Sequence, residues 1–356
     1  MIMTTPSKKY LILGHGGNCT DGFLSLFLFW KAFKKNIPDY ETTCEFVEVQ
    51  YGDTPPDATG KHVYILDFSY SPEKLKEYFS TSQSIQILDH HLSAYHEHLF
   101  YDLTIENNGP LDEHQVKAAR EAYEFTGYKR FSHAGTCCNG GHAEALFVKE
   151  QSGAGMAFDY LDGMFGVNPV WTNTDREYLE LEYWTSRIQD RDLWKFEHKD
   201  TKIIYELLNS VPRTFEAWDE LLNRPKAEYS KALDAAATRV AMREELAAIL
   251  AKHAEPVMLF DKLGVAVNVP SFLASEVGSI LSETNDFALL YVMDSASTIM
   301  SFRSKEGVGT NVSEIATRLG GGGHLHAAGV KVDTSTFVNK LSIWTRAAKL
   351  KLGTGN

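Results

Sequence analysis

The chain has 356 residues, 44% of them hydrophobic and 23% charged, with a formal net charge of -12 at pH 7. That length suits two globular domains rather than one, and no apolar run approaches the roughly 18 residues of a membrane span. The acidic balance counts against tight binding of long duplex nucleic acid, which needs many Lys and Arg contacts to phosphate, but leaves room for a small anionic ligand in one local pocket.

Met1 to Tyr10 lacks the apolar core and cleavage site of a signal peptide. The four cysteines are Cys19, Cys44, Cys137 and Cys138, two of them adjacent. That is no disulfide framework, so a reducing, cytoplasmic location is expected.

Tyr10 to Leu13 reads as a short buried strand, Gly14 to Gly22 as a glycine-dense turn, and Phe23 to Lys35 as a mostly buried helix that stops before Pro38. The turn carries His15, Cys19 and Asp21, three groups able to face a metal at a strand tip. Its order matches neither G-x-x-x-x-G-K-[ST] nor G-x-G-x-x-G. Phe46 to Val49 is a second strand. Val63 to Leu66 is a third, ending in Asp67. Ser71 and Pro72 have the chemistry of an N-cap and first helical position, and the helix Glu73 to Phe79 leads into a strand carrying Ile85 and Ile87. That strand ends in Asp89-His90-His91. A strand-helix-strand rhythm predicts a parallel sheet, and open parallel sheets place ligands at the C-terminal ends of their strands. Each polar cluster alone has an ordinary alternative as a surface turn. Three strand tips with compatible ligands favour a site.

Between Leu99 and Phe147 a polar helical segment over 113–125 and the run His133 to His142 are read as a loop insertion without metal, because adjacent Cys137 and Cys138 fit no zinc spacing. Ser152-Gly153-Ala154-Gly155 opens a helix through Phe165, as an N-cap or as an anion-binding start. A helix from Asp175 to Arg187 leads into Gln189-Asp190-Arg191-Asp192-Leu193-Trp194. The Asp-Arg-Asp cluster is either a solvated ion-pair group or the source of a fourth carboxylate, from Asp190 with Asp192 as the substitute.

Phe215 to His253 is helical. Strands then follow at 257–260, 264–267, 287–292 and 298–302, with helices at 275–282 and 312–319, giving a second α/β domain. Gly320 to Gly323 precede His324 and Ala327-Ala328-Gly329. A glycine run lets backbone N–H groups converge on an anion, and Arg303 has the fork geometry for phosphate. The other reading, a flexible linker, is disfavoured by apolar patterns on both sides.

Taken together and in order, His15-x3-Cys19-x-Asp21, Asp67, Asp89-His90-His91, Asp190 in Gln-Asp-Arg-Asp-Leu-Trp, and the GGGGHxxAAG run resemble the DHH phosphoesterase superfamily with its DHH-associated C-terminal domain, nearest to the nanoRNase and cyclic-nucleotide phosphodiesterase branch and sharing its core with RecJ-type exonucleases. The resemblance covers almost the whole chain. It implies an α/β fold with an N-terminal parallel-sheet DHH domain (1–212), a helical linker (213–254) and a smaller C-terminal α/β domain (255–356) that binds substrate.

The resemblance implies two divalent cations, of the Mn²⁺ type, supporting in-line attack on phosphorus. His15 and Asp67 would hold one. Asp21, Asp67, His90 and Asp190 would hold the other. Asp89 would orient His90 from behind, His91 would face the phosphate, and Arg303, His324 and the amides of Gly321, Gly322 and Gly323 would hold substrate. The departure is Cys19, where the family has Asp. It either ligates as thiolate and favours a softer metal, or stands off as a thiol, which is the reading adopted; a buried Cys packed under the turn is the structural alternative.

The expected activity is hydrolysis of short oligonucleotides or cyclic (di)nucleotides to nucleoside 5′-monophosphates. An exopolyphosphatase or other small phosphoester hydrolase is the alternative within the enzyme class, although the GGGGH run counts against it. A nucleotide-binding sensor with a decayed site is the alternative outside it. A short nucleotide is the expected partner, with no membrane or long duplex, and a homodimer is compatible.

Overall fold

The computed structural model describes residues 8–17, 19–50, 52–91, 94, 128–137, 141–163 and 176–353, with side chains left undescribed at 72, 128–137, 141, 142 and 324. The helical segment expected over 113–125 lies outside the described residues.

The chain divides into two compact units, Met1–Ala237 and Thr238–Asn356. The first begins with strand β1 (Tyr10–His15), helix α1 (Thr20–Asn36), the short helix α2 (Tyr40–Thr43), β2 (Cys44–Val49), β3 (His62–Leu66), α3 (Pro72–Thr81) and β4 (Ser84–Asp89). β5 (Tyr128–Cys137) and β6 (Gly141–Val148) follow, then α4 (Gly153–Leu161), α5 (Arg176–Asp192), α6 (Thr201–Asn209), α7 (Phe215–Leu222) and α8 (Lys226–Ala251), which runs through the division.

The strands form one sheet in the order β2-β1-β3-β4-β6-β5. All neighbours are parallel except β5 and β6, which are antiparallel. The loop expected over 99–147 therefore contains two strands, and β6 extends the parallel sheet beside β4. The central strands β1, β3 and β4 and the described part of β6 carry buried side chains on both faces. Ile12, Leu66, Leu88 and Leu146 pack under α1, α4 and α5, while Leu11, Leu13, Ile65, Ile87 and Phe147 pack under α3 on the opposite side. Alternation of side chains across a sheet, with helices covering each face, is why these segments read as continuous apolar runs.

Helix α1 is buried nearly all round, and Phe23, Phe27 and Trp30 form an aromatic stack with Trp218, Phe215 and Trp184. Phe215–Leu222, expected in the linker, is thus part of the first core. Pro72 opens α3, but Ser71 in front of it makes no side-chain cap hydrogen bond.

The second unit contains β7 (Glu255–Leu259), β8 (Lys262–Asn268), α9 (Ala274–Ser282), β9 (Ala288–Met293), β10 (Ser297–Arg303), α10 (Val312–Arg318), β11 (Gly322–His324), β12 (Ala327–Asp333) and α11 (Thr334–Leu352). Its sheet runs β11-β12-β10-β9-β8-β7, with β8 and β9 parallel and the other pairs antiparallel. Phe287, Phe302, Ile315 and Phe337 centre the core on one face, and Val267, Val277 and Leu290 the core on the other. No described helix is long and apolar enough to cross a membrane.

Candidate metal centre

In the first sheet β1 has β2 on one side and β3 on the other. The connections diverge there, which opens a crevice beyond the strand ends, the usual ligand position in open α/β sheets. Gly14 is in register with Leu66, so His15 and Asp67 leave the sheet side by side. Asp67 sits at φ 54, a left-handed conformation uncommon outside glycine but tolerated by Asp, and its N–H donates to Leu88 O at 2.8 Å.

Two groups of ligand atoms result, His15 with Asp67 and His91, and Asp21 with His90 and Asp192, each within 4.8 Å of one another. Asp67 stands between them. Its Oδ2 is 3.5 Å from His15 Nδ1, and its Oδ1 is 3.2 Å from His90 Nε2. His90 Nε2 also lies 3.4 Å from Asp192 Oδ2. Neighbouring ligands on an octahedral cation of the Mg²⁺ size, each about 2.1 Å from it, lie about 3 Å apart, which these separations approach.

Asp21 occupies the first turn of α1, 2% exposed. Its Oδ1 accepts from Ser152 Oγ at 2.6 Å and from Ala154 N at 3.2 Å. Its Oδ2 is buried with no hydrogen-bond partner among the described residues. A buried carboxylate oxygen without a donor is costly, and a cation in the Asp21, His90 and Asp192 group would satisfy it. Oxygen and imidazole donors of this kind suit Mn²⁺, Mg²⁺ and similar ions. The residues therefore fit the group that the sequence implies.

The charges agree. Burial pushes the Asp21 carboxyl well up, and repulsion from Asp67 and Asp192 adds to it. Burial also raises Asp67, but hydrogen bonds from His15 and His90, with the nearby imidazoles, outweigh it and hold Asp67 far below the usual carboxylate range. Burial disfavours a charged His90, yet Asp67, Asp192 and Asp89 raise it to about 9. Carboxylates crowded in this way lack enough positive charge, and a divalent cation held by Asp21, His90 and Asp192 would supply it.

Three placements differ from expectation, those of Asp190, Asp89 and His91. Asp190 does not face the cluster: its oxygens accept from Glu197 N at 2.8 Å, His198 N at 3.1 Å and Thr201 Oγ1, fixing the turn after α5. Helix α5 continues past Arg187 to Asp192, and residues two apart on a helix point about 200° apart, so Asp192 takes the place expected for Asp190. Asp89 orients His91 rather than His90. Asp89 Oδ1 accepts from His91 Nδ1 at 2.7 Å and from the backbone N–H of His90 at 2.8 Å. His91, expected at the phosphate, falls in the group with His15 and Asp67. Cys19 caps α1, donates to Asp67 Oδ2 at 3.3 Å and accepts from Gly22 N at 3.4 Å. Burial and then the neighbouring carboxylates Asp67, Asp21 and Asp192 push its thiol well up, and it belongs to neither group of ligand atoms.

Sequence reasoning missed the part played by Ser152, Gly153 and Gln189. A Cβ on Gly153 would lie 2.2 Å from Asp67 Cβ, and one on Gly155 2.0 Å from Gln189 Oε1. The glycines let the start of α4 seat against both. The Ser-Gly-Ala-Gly start was the visible signal; the anion it holds is Asp21.

In the second unit, Arg303 donates to Phe302 O at 2.9 Å and Ser275 Oγ at 3.2 Å. The amides of Gly320 and Gly321 donate to Thr317 O and Ala316 O, ending α10. Gly322, Gly323 and His324 pair with Gly329, Ala328 and Ala327.

No family model matches the chain. An uncharacterized protein of Acanthamoeba polyphaga mimivirus is 24% identical over 341 residues, covering 90% of this chain; the chain spans 66% of that relative's length. Among solved structures, the DHH domain of a member of a ribosomal-protein family aligns over 98% of this chain and 87% of its own, at 14% identity and a TM-score of 0.50. RecJ of Thermus thermophilus in complex with Mn²⁺ aligns over 93% of this chain and 50% of its own, at 14% identity and a TM-score of 0.45.

Proposed function

We propose that this chain, which has the DHH-domain fold, is a divalent-metal-dependent phosphodiesterase that hydrolyses short oligonucleotides or cyclic (di)nucleotides to nucleoside 5′-monophosphates. The observation that carries the reading is Asp67, whose two oxygens reach into both groups of ligand atoms from one strand tip. Two cations, when bound, supply Lewis acidity toward a phosphoryl oxygen and toward the attacking water.

The chain's own residues do the rest. Asp89 holds the His91 ring through Nδ1, which fixes the ring's orientation and the nitrogen that carries the proton toward Asp89. Asp67 and Asp192 hold His90 between them. Cys19 donates to Asp67 Oδ2 as a neutral thiol and adds no charge. From the second unit, Arg303 and His324 are the phosphate contacts proposed. The net charge of -12 favours small substrates over long polyanions.

The test is turnover by metal-free protein reconstituted with Mn²⁺ or Mg²⁺, on pApA, cyclic dinucleotides, cAMP and polyphosphate. Release of 5′-monophosphates is the expected result. Orthophosphate from polyphosphate alone would make the protein an exopolyphosphatase, and binding of a nucleotide without turnover would make it a sensor.

A further inference from the structure

We infer that Ser152, at the start of α4, is a positioning residue that presents Asp21 to the divalent cation; this rests on the metal reading above. Asp21 Oδ1 is held by the Ser152 hydroxyl at 2.6 Å and by Ala154 N at 3.2 Å. Both donors are taken by Oδ1, which leaves Oδ2 buried and without a donor among the described residues, while a carboxylate oxygen of Asp21 lies within 4.8 Å of the ligand atoms of His90 and Asp192.

Ser152 is itself held. Its N–H donates to Gln189 Oε1 at 3.1 Å, and its Oγ accepts from Gly155 N at 3.2 Å while donating to Asp21. Gln189 lies on α5, three residues before Asp192. The same short contact thus ties the orientation of Asp21 to the helix that carries another ligand of the group. Ser152 is fully buried, so its hydroxyl has no solvent to exchange with. Partners behind a metal ligand of this kind commonly change affinity by about 10- to 100-fold when removed.

An ordinary N-cap would also use Ser152 Oγ to accept from Gly155 N, so the experiment separates the two roles. Mn²⁺ affinity is measured by calorimetry on metal-free protein for the wild type, Ser152→Gly, Ser152→Thr and Thr214→Ala. Glycine is tolerated at an N-cap but lacks the hydroxyl, and threonine keeps it. Thr214 caps α7 through Ala217 N and falls in neither group of ligand atoms among the described residues. The expected result is Mn²⁺ binding weakened by about 10- to 100-fold in Ser152→Gly, kept within about threefold in Ser152→Thr, and unchanged in Thr214→Ala. Wild-type affinity in Ser152→Gly would overturn the inference, as would an equal loss in Thr214→Ala. Absence of Mn²⁺ binding in the wild type would instead overturn the metal reading together with it.

Discussion

The strand tips of the first sheet and the glycine run of the second unit both look, in sequence, like places where a phosphate chemistry assembles. Folded, they differ in what their polar groups have left over. At the strand tips, Asp21 Oδ2 is buried with no donor among the described residues, and His90 sits between two carboxylates. In the glycine run, the first two amides already close the end of α10, and a Cβ on Gly321 would lie 2.2 Å from Gly329 O. One region retains capacity for a ligand; in the other, much of it is engaged by the fold. Residue type proposes a site, and unfilled bonding capacity after folding distinguishes it.

The largest expected effect breaks the first region alone. Asp67→Ala or His90→Ala should lower turnover by well over the roughly 100-fold that partners behind a ligand contribute, with circular dichroism unchanged and Mn²⁺ binding lost. Arg303→Ala, by contrast, should raise KM with Mn²⁺ binding intact. Turnover near wild type in folded Asp67→Ala would remove the metal hypothesis.

The next effect compares glycines. Gly153→Ala and Gly321→Ala each push a Cβ into close neighbours and should cost about 1–3 kcal/mol in denaturant unfolding. Only Gly153→Ala should also weaken Mn²⁺ binding. Gly322→Ala meets nothing within 4 Å and should stay within about 0.5 kcal/mol of wild type. A large loss there would show that the space beside Gly322 is not open in solution.

The smallest effect tests a carboxylate whose capacity is filled. Asp219 accepts from Lys31 at 2.8 Å and Lys34 at 3.2 Å. Burial raises its carboxyl, but the hydrogen bonds and charges of the two lysines outweigh that and hold it below its usual value. Its folded pKa is therefore lower than its unfolded one, so the stabilisation is present above about pH 4 and is lost as pH falls through the folded value. The Tm gap between wild type and Asp219→Asn, below about 1 kcal/mol in stability terms, should be flat from pH 5 to 7 and close in acid. A gap that widens in acid would reverse the sign.

The parallel core was legible because its strands are apolar on both faces and end in polar clusters. β6 was not, because it carries a buried Glu144 and follows a run of small and polar residues. Helix phase was not legible either. Asp190 and Asp192 are chemically alike, and only the continuation of α5 past Arg187 decides which one faces His90. The identity of the group held by Asp89 was equally hidden, since Asp89, His90 and His91 are adjacent and only the turn after β4 assigns the bond.

The left-handed backbone at Asp67 bears on how a mutational library at this strand tip would be read. Replacement by a β-branched or bulky residue changes backbone comfort and charge together, so its phenotype cannot be ascribed to either. Asn shares the tolerance for that conformation and the size of Asp, while losing the negative charge and exchanging one acceptor oxygen for an NH2 donor. At position 67, Asn is therefore the substitution whose outcome reports the carboxylate's charge and second acceptor oxygen without a backbone change, and saturation data there should be ranked against it rather than against alanine.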